Sequence, residues 1–346
     1  MVTVIKSIIV VAMIPLFLLS AKAAQATTMD PFSYYNVFSL ENIGGGTGYR
    51  SDFQGTAGAV GNVTFNSFTL VGLDTANRFS LHSGGNVSIT GGAHTGSIEA
   101  AGNVTLGNLS INGSVYSGGT VANSGGGTIT GDVAAQNIAL GQNMTVNGQK
   151  KSGTTYTPYA DLGASEAYFL TFSHDAAAMG GTGATLTNSY GKLQTSQLSS
   201  GINVLSLSSA ELNDAHTFVV NGVADSILYI NVAGGDVSLN STTWTYSGGI
   251  TASDVLVNYY EASKLTLSSR NDVNILAPLA DTTFTSGLVT GNLIVGDLEG
   301  GGQVNLGHFD HGTPMIQSVP EPSTLTLLLA GGVSVFLGLR TRRGHS

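Results

Sequence analysis

Gly61-Asn62-Val63-Thr64, Gly85-Asn86-Val87-Ser88 and Gly102-Asn103-Val104-Thr105 are near copies of one four-residue unit. Gly107-Asn108-Leu109-Ser110 follows them, and Gly291-Asn292-Leu293-Ile294 repeats the unit far downstream. The unit leads into alternating segments: Val63-Thr64-Phe65, Val87-Ser88-Ile89, Leu109-Ser110-Ile111 and, further on, Thr128-Ile129-Thr130. Apolar residues two apart make a strand with one buried face. Gly and Asn tolerate left-handed backbone angles and so suit the corners between strands. The three best copies are separated by 24 and 17 residues, about one coil of a parallel β-helix. One coil cannot bury its apolar face alone, whereas stacked coils share a continuous core. Asn residues at equivalent corners would then stack as a hydrogen-bonded ladder. The expected fold class is mainly β, a parallel β-helix or solenoid with one flanking α-helix. An antiparallel β-sandwich shares the turn signals but does not predict repeated corners.

The flanking helix is read from Pro158-Tyr159-Ala160-Asp161-Leu162, which opens a run through Ala167, Tyr168, Phe169 and Phe172 to Ala178. Gly180-Gly181 ends it, and Asp161 near its start favours the helix dipole. An amphipathic helix over about 159–178 would lie along the solenoid and cover an apolar flank. Strand patterns resume with Phe218-Val219-Val220, Ile227 to Val232 and Val237-Ser238-Leu239. The last section, from Val255 through Leu265 and Ile275 to Val304-Asn305-Leu306, is again solenoid-like.

Composition agrees. Gly supplies 48 of 346 residues and charged residues only 10%, against about a quarter in typical globular proteins. A hydrophobic fraction of 42% is too high for simple disorder. The absence of cysteine excludes a disulfide framework and any thiolate chemistry. Five of the twelve basic residues lie at the termini, so residues 24–339 carry seven bases against 21 acids, a net charge of −14. Such a body lacks the basic footprint of a nucleic-acid binder.

Both ends carry processing signals. Residues 1–26 read as a signal peptide, with Lys6 ahead of the apolar run Ile8 to Leu19 and small-x-small cleavage patterns ending at Ala23 and Ala26. Near the other end, Pro320-Glu321-Pro322 precedes the apolar run Leu325 to Leu339, followed by Arg340, Arg342 and Arg343. That run is about the minimum length for a membrane span, and the arginines would stay cytoplasmic. The prolines keep the preceding strip extended and accessible. Residues 311–322 are read as a linker and 323–346 as a transmembrane segment with a basic tail. This tripartite end resembles the PEP-CTERM sorting signal of Gram-negative bacteria. The resemblance implies an exosortase-type processing enzyme as partner. It also implies delivery to the cell surface or an extracellular polysaccharide matrix.

A second resemblance covers the body, residues 34–310. Tyr35-Asn36-Val37-Phe38-Ser39-Leu40, the Gly-Asn-Val units, Ile230-Asn231-Val232-Ala233-Gly234 and Ile275-Leu276-Ala277-Pro278 resemble, in that order, a choice-of-anchor A domain. Tyr259-Tyr260 stands where an aromatic-Pro pair is expected. The family is one of adhesive surface domains without established catalytic residues. It implies a non-enzymatic adhesin whose partner is an extracellular polysaccharide or another surface polymer. A self-associating structural matrix protein and a β-helix polysaccharide-degrading enzyme are the alternatives.

For an enzyme, Asp132, Asp236 or Asp297 would have to meet across a cleft. Nucleophile elbows and regular triads are lacking. His308, Asp310 and His311 form the one tight histidine group, read as linker rather than a metal site, and no cofactor is expected. Thr64, Ser88 and Thr105 occupy matching repeat positions, as in Thr-rich ice-binding faces, but regular Thr-x-Thr ladders are scarce.

The tail reading makes the first prediction. With an epitope tag just before Gln317, the chain should appear at the surface or in the matrix, trimmed near Pro322. A Pro320→Ala, Pro322→Ala version should stay untrimmed in the inner membrane. Identical untrimmed location of both in cell fractionation would sink the sorting reading.

Overall fold

The computed structural model describes residues 28–72, 79–239, 242–312 and 315–316. The signal-peptide reading with Ala23 and Ala26 lies outside these residues. So do Pro320, Glu321, Pro322, the Leu325 to Leu339 span, and Arg340, Arg342 and Arg343. Among the described residues, no helix is long and apolar enough to cross a membrane.

The compact unit Thr28–Met315 is built on parallel strands. Twenty-five of the described strands form one sheet, which wraps into three faces as the chain turns corner after corner. The first face shows how the core arises. Leu205, Ile230, Val257, Ile275, Leu293, Val37, Ala57, Leu81, Ile98, Val115 and Val133 stand in one register column. All eleven are buried in the central apolar cluster. Side chains alternate along a strand, so each coil adds one apolar residue per column. Tight corners need glycine in places: Gly92 has φ +101, and a Cβ there would collide with the Phe68 carbonyl.

The column also shows that stacking order is not chain order. Strand Val37–Ser39 pairs with Ala57–Ala59 on one side and with Leu293–Val295 on the other. The chain climbs from Val37 to Lys150–Ser152, returns along a helix, and climbs again from Gly201–Ser208 until Leu293–Val295 closes against its own first strand. The four-stranded sheet of Leu186–Ser189, Lys192–Thr195, Thr217–Asn221 and Thr243–Ser247 accompanies the second climb. Its last three strands are parallel, with Phe218 stacked on Trp244 at 4.6 Å.

The returning helix spans Leu162–Ala178. It starts after Asp161, not at Tyr159, because the Asp161 carboxylate accepts the Ala164 N–H at 2.9 Å and caps it. Two shorter helices, Pro31–Tyr34 and Ser209–Asn213, join it, so the expectation of one helix was too few. Its buried stripe is Ser165, Phe169, Ser173 and Ala176, less apolar than an amphipathic reading requires. Phe169 packs with Phe32 and Phe38. The serine end is stitched down by amides. Ser173 Oγ donates to Asn258 Oδ1 at 2.6 Å, while Asn258 Nδ2 donates to the Ser173 carbonyl and to Asn231 Oδ1. Asn231 Nδ2 in turn donates to the Ala176 carbonyl at 2.7 Å.

One core position is anomalous. His94 stands in register between Leu70 and Ile111 and is 1% exposed. Its ring stacks near Phe65 and Phe68, and neither nitrogen has a hydrogen-bond partner among the described residues. Burial pushes its pKa down to about 4. A depressed histidine holds its stability above the unfolded pKa of about 6.5 and loses it as pH falls toward 4. From pH 7.5 to 5 that loss is about 2 kcal/mol. His94→Leu should therefore unfold at higher denaturant than the parent at pH 5 and show a flatter stability profile between those pH values. An unchanged profile would contradict the assignment.

Candidate ligand-binding surface

The second face carries the repeat unit. Its inward column runs Val237, Leu265, Thr282, Leu298, Ile43, Val63, Val87, Val104 and Val121. One residue later along each strand, side chains point outward. There the register aligns Ser238, Thr266, Thr283 and Glu299 on one side of the seam. Thr64, Ser88, Thr105 and Ala122 align on the other, with Gly44 between the two groups as implied by the Ile43 bridges. At about 4.8 Å per strand, the nine rungs span about 38 Å. Thr64, Ser88 and Thr105, matched in sequence, are thus neighbours in space.

Beside this column runs the asparagine ladder. Asp297 Oδ1 accepts the Asn42 N–H at 3.1 Å, and Asn42 Oδ1 accepts the Asn62 N–H at 2.9 Å. Asn62 Oδ1 takes the Asn86 N–H at 2.9 Å, Asn86 Oδ1 the Asn103 N–H and Asn103 Oδ1 the Thr120 N–H, both at 2.8 Å. Each corner thus gives a backbone donor a fixed protein acceptor in place of water. At the seam, a groove of about 540 Å³ is lined by Asn62, Thr64, Asn86, Ser88, Asp297 and Glu299 among others. The exposed Glu299 carboxylate lies over Gly45, in the space a Cβ there would take. The groove presents amide, hydroxyl and carboxylate groups at fixed spacing, a set able to donate to and accept from a hydroxyl-rich chain. The third face adds another hydroxyl row, Ser110, Thr128 and Thr145 in register with Ala93.

The carboxylates considered from sequence do not converge. Asp236 is separated from Asp297 by Lys264 and Asp281 in the same column. Asp132 lies at a first-face corner, ion-paired with Lys151 at 2.8 Å. That lysine and the Gln149 N–H hold its pKa below the usual carboxylate range. Register instead sets Asp281 beside Asp297 and places Glu299 two residues on, a grouping visible only once strand pairing is known. The histidine group is split: His308 faces Asp310 at 3.4 Å, while His311 turns to Asp254 at 2.9 Å. Among the described residues, no three His, Asp or Glu side chains are placed to hold a metal ion.

A family model described as "Putative Ice-binding-like adhesive domain" matches residues 28–306. The chain belongs to this adhesive-domain family. A second model, the PEP-CTERM protein-sorting motif, matches residues 318–343. The adhesive domain is therefore followed by a sorting signal, and both resemblances drawn from the sequence stand. A solved structure titled "The structure of a possible adhesin C-terminal domain from Caldicellulosiruptor kronotskyensis" is similar at 9% identity and a TM-score of 0.33. The similarity covers 88% of this chain and 98% of that one. No curated protein matches the chain.

The ladder predicts a graded effect. Asn86→Ala uncaps the Asn103 N–H and should cost about 1 kcal/mol, lowering Tm by roughly 2–4 °C. Asn86→Asp keeps the acceptor and should lose less. Equal Tm for all three proteins in thermal unfolding would show that the ladder contributes nothing.

Proposed function

We propose that the adhesive domain is a non-enzymatic adhesin, a parallel β-helix whose second face binds an extracellular polysaccharide. The carrying observation is the outward column of hydroxyl and carboxylate groups beside the asparagine ladder. Each contact to a sugar hydroxyl is weak, but rungs at constant spacing engage a repeating polymer together, and the effects multiply. Delivery follows from the tail: an exosortase recognises Pro320, Glu321 and Pro322 while Leu325 to Leu339 holds the chain in the membrane. The destination is the surface or matrix of a Gram-negative bacterium.

Two observations separate this reading from its rivals. The last strand of the first climb, Lys150–Ser152, is exposed and carries Lys150 and Lys151, charges that discourage edge-to-edge stacking of copies. In the outward column, Gly44 and Glu299 interrupt the hydroxyl run, which disfavours a flat ice-matching lattice.

The test is co-sedimentation of the purified protein with polysaccharide from the producing bacterium. Thr64→Val, Ser88→Ala and Thr105→Val combined should weaken binding by about tenfold or more, at roughly 0.5–1.5 kcal/mol per lost hydrogen bond. Undiminished binding by the triple variant would move the site elsewhere. Steady release of reducing ends would make the protein an enzyme.

A further inference from the structure

The outward side of the first face is covered by the long helix over its middle strands, but one end is covered differently. There His82, Glu99, Tyr116 and Ala134 stand in register, and the segment Thr154–Tyr159 passes over them. Beneath it lies a cavity of about 330 Å³ lined by Phe79, Tyr116, Tyr156, Tyr159 and Glu99 among others. Phe79 packs with Tyr116 at 5.5 Å and with Tyr159 at 4.8 Å. We propose that this aromatic cavity, with Glu99 in its wall, binds an organic ammonium group. The proposal is independent of the polysaccharide reading, which concerns another face.

The argument starts from Glu99. It is 2% exposed, and a buried carboxylate must be paired and hydrogen-bonded. Its Oε1 meets His82 Nδ1 at 2.7 Å and accepts the Ala160 N–H at 3.3 Å; its Oε2 accepts the Tyr159 N–H at 3.0 Å. His82 Nε2 meets the Tyr34 hydroxyl at 2.7 Å. Among the described residues its ion-pair partner is that histidine, and no lysine or arginine reaches it. Lys151, one strand beyond Ala134, has its ammonium committed to Asp132 at 2.8 Å. The helix that follows presents a positive end, but Asp161 caps it.

The cavity walls suit an added positive charge. Aromatic faces attract cations, and cages of them recognise quaternary and methylated ammonium groups. The Tyr156 phenol feels the negative charge directly: burial first, then Glu99, pushes its pKa up. A neutral sugar would gain hydrogen bonds but no charge attraction from the carboxylate, whereas an ammonium group gains from both walls and base. Primary amines of a surface polymer and choline-type headgroups share this chemistry.

The test is calorimetric titration of the full chain with choline against its uncharged isostere 3,3-dimethylbutan-1-ol, and with butylammonium against butan-1-ol. Choline or butylammonium should bind at least about tenfold more tightly than its neutral counterpart, and the better of the two identifies the source. Glu99→Gln should abolish the preference for charge. Because Glu99 is buried and that variant can fail to fold, Tyr159→Ala is the companion. Tyr159 is 64% exposed, and its loss should weaken ammonium binding by about tenfold while its backbone N–H still reaches Glu99. Equal affinity for charged and neutral partners overturns the proposal. So do the absence of heat up to roughly 50 mM cation, a range that would still reveal millimolar binding, and unchanged binding by a folded Tyr159→Ala protein.

Discussion

The pairing of Val37–Ser39 with Leu293–Val295 holds the molecule together. Two stacks of coils, one from each part of the chain, become one continuous sheet through this contact, the neighbouring Ile43–Leu298 bridge and the Phe53–Val304 pairing on the third face. The surroundings reinforce it. Asn292 Nδ2 donates to the carbonyls of Phe32 and Tyr35, Ser39 Oγ donates to the Gly296 carbonyl, and Asn42 is capped by Asp297. Buried amides suit this task because each donates and accepts at once. They join strands distant in sequence without leaving a donor unsatisfied. The seam groove exists because the pairing brings Asp297 and Glu299 within two rungs of Asn62 and Thr64, across Asn42 and Gly44.

Once the register is fixed, chemistry sorts by column. Inward columns are apolar and set the core. Outward columns have different fates on different faces. On the first, Phe38, Ile294 and Leu276 are buried under the helix with Phe32, Phe169 and Phe309. On the second, most of the corresponding positions are hydroxyls that reach solvent, among them Thr64, Thr105 and Thr283. A parallel sheet usually needs cover on both sides; here the covered face supplies rigidity and the uncovered face supplies surface. The ladder fixes the spacing of that surface, so a ligand does not have to order it on binding.

Much of this was legible in the sequence because a solenoid writes its geometry into a repeat. The Gly-Asn-Val unit marked real corners, and Thr64, Ser88 and Thr105 proved to be register partners. The stacking order was not legible: nothing local to Val37 says that its neighbour is Leu293 rather than another early strand. Polar residues in buried columns were equally hidden. Glu99 and His82 occur in ordinary alternating strands, and only pairing and the Thr154–Tyr159 cover bring them together. Nothing local to His94, flanked by Gly91-Gly92 and Gly96, marks it as core; strand register turns it inward. Asp281 gains meaning only from its registered neighbour. Single-residue identity predicts a corner well and a cross-coil contact poorly.

The closing strand also brings the two ends of the body together. Phe32 lies 5.5 Å from Phe309, ring to ring, and both belong to the same apolar cluster under the helix. The body thus begins and finishes at one spot on its flank, midway along the stack, and neither tip carries a terminus. It behaves as a plug-in module: it can be spliced after a leader or ahead of a tether without disturbing its tips. Coils could be gained or lost at either tip while the attachment point stays where it is.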